Sequence, residues 1–409
     1  MGIFDKFANL TDRYAELRKL GRDPFAVKIE KILSATQAVI EGRDVLLAGT
    51  NNYLGLTFND QCVEAASEAV LQQGTGTTGS RVANGTYATH SQLEQRLAEF
   101  LDSRSAIVFS TGYQANLGTI AGLAGPDDYV LIDADCHASI YDACRLCGAT
   151  IIRFRHNSPT DLNKRLSRLD PAANKLIAVE GLYSMLGDIA PLADFVKVKD
   201  AHENAYLIVD EAHSLGVFGD TGKGVAEDAG VLKGVDFIVG TFSKSLGSIG
   251  GFCVSDHPEF DMMRVFSRPY MFTASLAPSN AATALAALQE IDANPELRTT
   301  LWRNAHNLHD GIAAAGLSLG AAPSPVVAVK MPSIEVAAYA WNLMLDQGVY
   351  VNLAVPPGTP NSLSLLRVSV SAAHSDEQIE TIVKAFEVVA HELGVHPDQQ
   401  RGLKVSAGD

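Results

Sequence analysis

Short apolar runs alternate with longer stretches of helical spacing in the middle of the 409-residue chain, from Thr50 to about Ser255. Six runs have the length and composition of buried strands, at residues 106–109, 129–132, 150–154, 176–179, 206–209 and 237–239. Strands that alternate with helices are typical of βαβ units, which build parallel sheets. The pattern therefore predicts the α/β fold class, with a large and mainly parallel sheet.

The two ends of the chain differ from this alternating region. The N-terminal part is charged and helix-like, most clearly over residues 12–20. A helix-like run at 278–314 leads to a last part with strand candidates at 326–329 and 365–370, closed by a helix. We expect four parts: an N-terminal helical segment 1–49, a large α/β domain 50–285, a smaller α+β domain 286–395 and a frayed polar tail 396–409.

Composition narrows the class of protein. A formal net charge of −15 argues against a nucleic-acid-binding surface, which needs a basic patch. No stretch has the pattern of a membrane-spanning helix or a signal peptide. Five cysteines form no disulfide framework in so long a chain, which favours a soluble protein of the reducing cytoplasm. Cys144 and Cys147 lack a second ligand pair, so we expect two thiols on a helix and no metal site.

Two motifs suggest nucleotide chemistry, but their surroundings do not support it. Residues 74–79 spell G-x-G-x-x-G, yet a helical stretch precedes them where a dinucleotide site needs a strand. Residues 210–213 spell Asp-Glu-Ala-His, a helicase box, yet the chain has no G-x-x-x-x-G-K-[ST] phosphate loop. We therefore expect a flexible glycine-rich segment near a ligand at 74–79, and other chemistry at 210–213.

One lysine follows the strand at 237–239, in a turn of small hydroxyl residues that includes Thr241 and Ser243. An amine at the end of a buried strand is costly unless it has a task. Lys244 could form an imine with pyridoxal phosphate, and the two hydroxyl groups could donate to its phosphate. The alternative interpretation is a lysine on a surface loop.

An acid closes the preceding apolar run. Asp210 follows residues 205–209, and ligands of parallel sheets bind at the carboxyl ends of the strands. A carboxylate there would keep the ring nitrogen of pyridoxal phosphate protonated, so that the ring can accept carbanion electrons. His213 could reach the ring face or its phenolic oxygen. The alternative role of Asp210 is a helix cap.

Two further strand ends carry candidates for cofactor binding. Gly112 and Tyr113 follow the strand at 106–109 in a turn that leads into a helix, whose free amide groups can bind a phosphate. His137 follows the strand at 129–132, where an imidazole could stack on a pyridine ring. A simple helix cap and a structural histidine are the alternatives.

Taken together, these residues resemble the α-oxoamine synthases, a fold-type I family of pyridoxal-phosphate enzymes. The resemblance covers most of the chain, from about Asn51 to His374. Each matching fragment is short, but their order along the chain is specific: Asn52-Tyr-Leu-Gly55, Gly79-Ser-Arg81, Ser110-Thr-Gly-Tyr113, Asp135-Cys-His137, Glu180-Gly-Leu-Tyr-Ser-Met185, Asp210-Glu-Ala-His213, Thr241-Phe-Ser-Lys244 and Leu366-Arg-Val-Ser369.

The resemblance implies a role for each candidate. Lys244 would hold the cofactor as an imine and move protons at the substrate α-carbon, while Asp210 pairs with the ring nitrogen. His137 would stack on the ring, and His213 would contact the phenolic oxygen. The phosphate would be held by Gly112, Tyr113, Thr241, Ser243 and, from a second subunit of a homodimer, Thr273. The amino acid substrate would contact Arg367, Asn52 and Ser184.

Three details resemble the serine palmitoyltransferase branch of the family: Leu186, residues 268–275 and residues 356–360, although Gly358 stands where that branch usually has alanine. This implies decarboxylating condensation of L-serine with palmitoyl-CoA, or a carrier-protein thioester, to 3-oxosphinganine, the first step of sphingolipid synthesis. Membrane contact would be peripheral at most. The alternatives are a sister synthase that uses glycine or alanine, a non-catalytic partner subunit, which would lack Lys244, and a cofactor-sensing regulator.

Overall fold

The computed structural model describes residues 2–396. Numbered along the chain, its strands are β1 (Lys31–Ile32), β2 (Gln37–Ile40), β3 (Arg43–Leu47), β4 (Ser105–Phe109), β5 (Tyr129–Asp133), β6 (Thr150–Phe154), β7 (Lys175–Glu180), β8 (Ala205–Asp210), β9 (Phe237–Thr241), β10 (Gly251–Ser255), β11 (Val326–Met331), β12 (Val349–Tyr350), β13 (Asn352–Ala354) and β14 (Ser364–Ser369). The helices are α1 (Ala8–Lys19), α2 (Asp60–Gln73), α3 (Ala88–Phe100), α4 (Gly112–Leu123), α5 (Ala138–Cys147), α6 (Pro159–Leu166), α7 (Leu192–Asp200), α8 (Val225–Asp228), α9 (Arg268–Met271), α10 (Pro278–Ala293), α11 (Glu296–Ala314), α12 (Ile334–Asp346) and α13 (Asp376–Glu392). Short 3-10 helices lie at Asp5–Phe7, Leu56–Phe58, Leu232–Gly234, Pro258–Val265 and Pro360–Ser362.

The chain forms two compact units. The larger comprises residues 51–184 and 189–300 and contains a seven-stranded sheet in the order β4-β10-β9-β8-β7-β5-β6. Strands β5 to β9 pair in parallel, and β10 is antiparallel to both β4 and β9. Every residue of β7, β9 and β10 is buried, as expected where both faces of a sheet are covered.

The α/β fold class and the six central strands predicted from the apolar runs are confirmed as β4 to β9. Cys144 and Cys147 are free, buried thiols on α5, as expected. Helix α2 ends directly before Gly74, so the glycine-rich segment does follow a helix. Strand β10 was not predicted from the sequence. It begins at a glycine and is antiparallel to its two neighbours, unlike the strands of the predicted βαβ units.

The smaller unit contains the described residues of both chain ends together with residues 185–188. One of its sheets has the order β1-β2-β3-β12, and the other has the order β11-β14-β13. Strand β14 is fully buried and pairs antiparallel with both of its neighbours. The predicted strands at 326–329 and 365–370 and the closing helix at 376–393 are confirmed as β11, β14 and α13.

Two expectations about helical segments need correction. Segment 1–49 is helical only at its start, because β2 and β3 form a hairpin around Glu41 and Gly42, whose positive φ angles of 52° and 69° fit a type I′ turn. The helix-like run at 278–314 is two helices, α10 and α11, separated at Asn294 and Pro295. Proline has no N–H for a continuous helix.

The frayed tail expected at 396–409 lies, after His396, outside the described residues. Within residues 2–396, no helix combines the length and the apolar character that crossing a membrane requires.

Candidate active site

A cavity of about 270 Å³ lies at the carboxyl edge of the large sheet. Three neighbouring strands end there, β7 at Glu180, β8 at Asp210 and β9 at Thr241, and all three residues line the cavity. Parallel strands that end at one edge bring the residues after them together. His213 and Lys244 follow β8 and β9, His137 follows β5, and these three complete its reactive lining.

The lysine projects from a loop fixed by hydroxyl hydrogen bonds. The Thr241 hydroxyl bonds the Gly250 carbonyl at 2.9 Å and the Ser243 hydroxyl at 2.9 Å, and it accepts the Ser243 N–H at 3.3 Å. Thr241 and Ser243 line the cavity beside Lys244. The lysine is therefore a partly exposed side chain in the loop after a buried strand, where it lines the cavity.

Helix α4 begins at the cavity wall. Its cap is Thr111, whose hydroxyl accepts the Gln114 N–H at 3.1 Å, and Gly112 and Tyr113 follow as lining residues. A Cβ on Gly112 would come within 2.7 Å of the Thr241 Cβ, so only glycine fits this close approach. Free amide groups at the start of a twelve-residue helix, next to two hydroxyl groups, favour a phosphate.

The Asp210 carboxylate is held in place by two donors. Asn116 donates from Nδ2 at 2.7 Å, and the Ala212 backbone N–H donates at 2.9 Å. The residue is 6% exposed, yet it lines the cavity. A buried carboxylate with an open side towards a cavity can bind a cationic ring nitrogen by a charge-assisted hydrogen bond.

His137 caps helix α5 and lines the opposite part of the cavity. Its Nδ1 accepts the Ser139 N–H at 3.2 Å and lies 2.8 Å from the Ser139 hydroxyl. Burial lowers the pKa of His137, and the charge of Lys244 lowers it further, while Asp210 opposes the shift. The imidazole therefore favours its neutral form, with the ring proton on Nε2. The Tyr113 ring lies edge-on at 6.4 Å.

His213 is fixed by a tyrosine that sequence reasoning had not assigned. The Tyr53 hydroxyl lies 2.7 Å from His213 Nδ1, and both residues are buried. Tyr53 therefore orients His213 from behind the cavity wall.

Four candidate residues do not line the cavity in the described part of the chain. The Thr273 hydroxyl accepts a hydrogen bond from Gln114 at 3.2 Å, and Asn52 donates to the Thr57 hydroxyl at 2.8 Å. Ser184 is half-buried beyond the end of β7. Arg367 is buried on β14 in the smaller unit and donates to the Ser369 hydroxyl at 2.9 Å. Their substrate and phosphate contacts remain predictions.

Six lining residues were missed as site residues: Thr111, Asn116, Ser139, Glu180, Ala212 and Gly240. Asn116 and Ser139 are buried on α4 and α5, where the Asn116 amide donates to the Ser139 hydroxyl at 3.0 Å. No local pattern distinguishes them from residues that merely pack between helices. Glu180 closes an apolar strand as Asp210 does, and that shared pattern could have identified it.

The cavity fits pyridoxal phosphate. It provides an amine for the aldehyde at Lys244, a carboxylate for the ring nitrogen at Asp210, and a glycine cradle at Gly112 that a Cβ would fill. Helix amides and hydroxyl groups stand where a phosphate needs donors. The Asn116 Oδ1 atom is buried without a hydrogen-bond partner among the described residues, so this wall still has a free acceptor.

Comparisons with known proteins point to the same chemistry. Residues 43–386 match the family described as aminotransferase class I and II. A serine palmitoyltransferase from Caulobacter vibrioides is 55% identical over 396 residues, which cover 97% of this chain and 98% of that protein.

Solved structures agree with this similarity. A serine palmitoyltransferase from Sphingomonas wittichii superposes with a TM-score of 0.94 at 50% identity, covering 97% of this chain and 100% of the other. A high-resolution structure described as SPT with a PLP internal aldimine has the same TM-score at 48% identity, again covering 97% and 100% of the two chains.

Proposed function

The chain belongs to the class I and II aminotransferase family and, within it, to the serine palmitoyltransferases, and from this premise we propose how its cavity condenses L-serine with a long-chain acyl thioester. The observation that carries the proposal is the cavity at the ends of β7, β8 and β9, which gathers Lys244, Asp210, His137 and His213. With palmitoyl-CoA, the reaction yields 3-oxosphinganine, carbon dioxide and free coenzyme A.

The cofactor of the reaction is pyridoxal phosphate, which supplies a ring that withdraws electrons from the substrate α-carbon. Lys244 would hold its aldehyde, and Asp210 would pair with the ring nitrogen. Gly112, Tyr113, Thr241 and Ser243 would hold its phosphate, because they surround the start of α4. His213, oriented by Tyr53, would donate to or accept from the phenolic oxygen.

Each step of the condensation has a residue suited to it. The Lys244 amine removes the proton from the serine α-carbon, which then attacks the thioester carbonyl, and the thiolate of coenzyme A leaves. The carboxylate is then lost as carbon dioxide, and Lys244 returns a proton to the same carbon. His137, neutral because it is buried, orients the serine carboxylate by hydrogen bonding without a strong ion pair.

Arg367 is our candidate for binding the serine carboxylate. Its guanidinium group suits a carboxylate because it can donate two parallel hydrogen bonds. Asn52 and Ser184 are the remaining candidates for contacts with the amino acid. Ser184 stands directly before residues 185–188, the segment whose Leu186 resembles the serine-specific branch.

A homodimer with shared sites is part of the proposal. Large apolar side chains are exposed on the larger unit at Met262, Phe266 and Phe272, with 62%, 66% and 70% of their surface accessible. Exposed apolar side chains that together form a patch favour a protein interface, which supports the homodimer. Thr273 follows Phe272 directly, so it would reach the phosphate of the second subunit from this surface.

The deciding experiment is a substrate panel. Purified holoenzyme is incubated with L-serine, glycine or L-alanine and with acetyl-CoA or palmitoyl-CoA, and the products are identified by mass. We expect 3-oxosphinganine from serine and palmitoyl-CoA as the fastest reaction. Faster turnover of glycine or alanine would assign the chain to the sister reaction, and no product from any pair would overturn the proposal.

Shared sites are tested by mixing inactive subunits. Lys244→Ala and Thr273→Ala subunits are refolded or co-expressed together, so that mixed dimers contain one site with both native residues. We expect activity above that of either variant alone. Mixed dimers no more active than the better parent would place Thr273 outside the partner's site.

A further inference from the structure

Two carboxyl groups stand side by side at the carboxyl edge of the large sheet. Glu180 is the last residue of β7, Asp210 is the last residue of β8, and the two are paired in parallel register. Neighbouring strands lie about 4.8 Å apart, and paired residues point to the same face of the sheet. Glu180 is 2% exposed and Asp210 6%, and both line the same cavity.

The surroundings of the two carboxyl groups differ. Asp210 accepts hydrogen bonds from the Asn116 amide and from the Ala212 N–H, and it lines the cavity in which we propose that the cofactor binds. Among the described residues, the Glu180 carboxyl group accepts one hydrogen bond, which the backbone N–H of His137 donates. Burial and the carboxyl group on the neighbouring strand both oppose ionisation of Glu180, which has fewer hydrogen-bond donors than Asp210.

Charged groups face Glu180 from several elements. Asp210 on β8 and Asp133 at the end of β5 oppose its ionisation, while Lys244 and the His137 N–H favour it. Burial is the largest effect, and with Asp210 it raises the pKa of Glu180 well above its ordinary value. This rise in the pKa of Glu180 agrees with its having fewer hydrogen-bond donors than Asp210.

We propose that Glu180 is a positioning residue of this active site: its carboxyl group stays protonated, anchors the backbone of His137, and leaves Asp210 as the single anion of the pair. This inference rests on the proposed function, because it concerns how His137 and Asp210 are presented to cofactor and serine. A protonated carboxyl keeps one acceptor oxygen for the His137 N–H and adds one O–H donor.

The first test compares two substitutions in the holoenzyme. Glu180→Gln keeps the shape, the neutral charge and the acceptor oxygen, whereas Glu180→Ala removes the anchor. We expect Glu180→Gln to keep the kcat and the serine KM of the unmodified enzyme. For Glu180→Ala we expect a serine KM about tenfold higher and a smaller fall in kcat, because one hydrogen bond that orients His137 is lost.

The second test needs neither cofactor nor substrate. In slightly alkaline solution, the infrared spectrum of the apoprotein should contain the carbonyl band of a protonated carboxylic acid, which shifts in D₂O and disappears in Glu180→Gln. The matched control is Glu211→Gln. Glu211 is also buried, but it accepts the Val225 and Ala226 N–H groups, and burial raises its pKa to about 7.

The outcomes separate this inference from the proposed function. A band that is absent, or that persists in Glu180→Gln, would overturn the protonated state of Glu180. Loss of activity in Glu180→Gln to the level of Glu180→Ala would do the same. If the unmodified enzyme made no product from serine while the band behaved as expected, the proposed function would fail and the positioning role would fall with it. Circular dichroism confirms that each variant is folded.

Discussion

The two edges of the large sheet are built from the same strands but differ in character. At the carboxyl edge, Glu180, Asp210 and Thr241 line a polar cavity of about 270 Å³. At the amino edge, a second cavity of about 400 Å³ is lined by Leu176, Tyr206 and Phe237 at the starts of β7, β8 and β9. Phe260 and Met263 add further apolar lining.

The difference follows from the direction of the strands. Helix α4 connects the edges, because Gly112 at its start lines the polar cavity and Leu123 at its end lines the apolar one. Loops after parallel strands, together with free helix amides, favour ligand binding at the carboxyl edge. Substitutions at the two edges should therefore separate effects on activity from effects on stability.

The largest expected effect is that of Lys244→Ala. Because this substitution removes the amine that we propose holds the cofactor and moves the α-proton, product formation should fall by more than about a thousandfold. The absorbance of the cofactor bound as an imine should also disappear. The matched control is Lys233→Ala, which removes an exposed lysine paired with Asp256 and should keep full activity. A Lys244→Ala enzyme with substantial turnover would contradict the assignment.

The second-largest effect is expected for Asp210→Asn at the carboxyl edge of the sheet. Asp236→Asn, at the amino edge, is its control. Loss of the carboxylate that we propose pairs with the ring nitrogen should lower kcat about a hundredfold. Asp236 also accepts a backbone hydrogen bond, from Leu207 N–H at 2.8 Å, but it lies directly before β9 and far along the strand from the polar cavity. Its substitution should lower the melting temperature and leave kcat unchanged. Equal kcat losses in both variants would break the contrast between the edges.

Tyr53→Phe should have a smaller effect on the polar edge. The phenylalanine keeps the buried ring but removes the hydroxyl that lies 2.7 Å from His213 Nδ1. We expect kcat to fall about three- to tenfold and the pH profile of kcat to change, because His213 loses the partner that sets its tautomer. An unchanged pH profile would show that Tyr53 only fills space.

The smallest effect on activity is expected at the apolar edge. Phe237 is 5% exposed, and its ring stacks on His257 at 5.3 Å. Phe237→Leu should lower the free energy of unfolding by about 1 kcal/mol through poorer packing. Its kcat/KM should stay within about twofold of the unmodified enzyme. A larger kinetic effect would connect the apolar cavity to catalysis.

Sequence reasoning predicted those reactive residues that lie close behind a recognisable strand. Lys244, Asp210, His137 and His213 all follow apolar runs, and the structure brings these four into one cavity. An apolar run can be identified within one segment of the sequence, so predicting it does not require knowing which segments pack beside it. This is why the strands and the reactive side chains could be predicted together.

The residues that were missed depend on pairing between distant segments. Asn116 matters because α4 carries it to Asp210, and Glu180 matters because β7 is in register with β8. Tyr53 is 160 positions away from the histidine it orients. Register and helix packing are properties of the folded chain, so a local pattern can indicate a strand end such as Glu180 but does not name the distant residue that it faces.

The close backbone contact between the starts of α4 and β10 has a consequence for redesigning substrate range. A Cβ on Gly251 would approach the Gly112 Cα to 2.5 Å and the Thr111 carbonyl oxygen to 2.6 Å, so the start of β10 touches the start of α4 without intervening side chains. Any mutant library should therefore keep Gly112 and Gly251 constant. Diversity for new amino acids or acyl donors is better introduced at positions whose side chains can change size without separating these two segments.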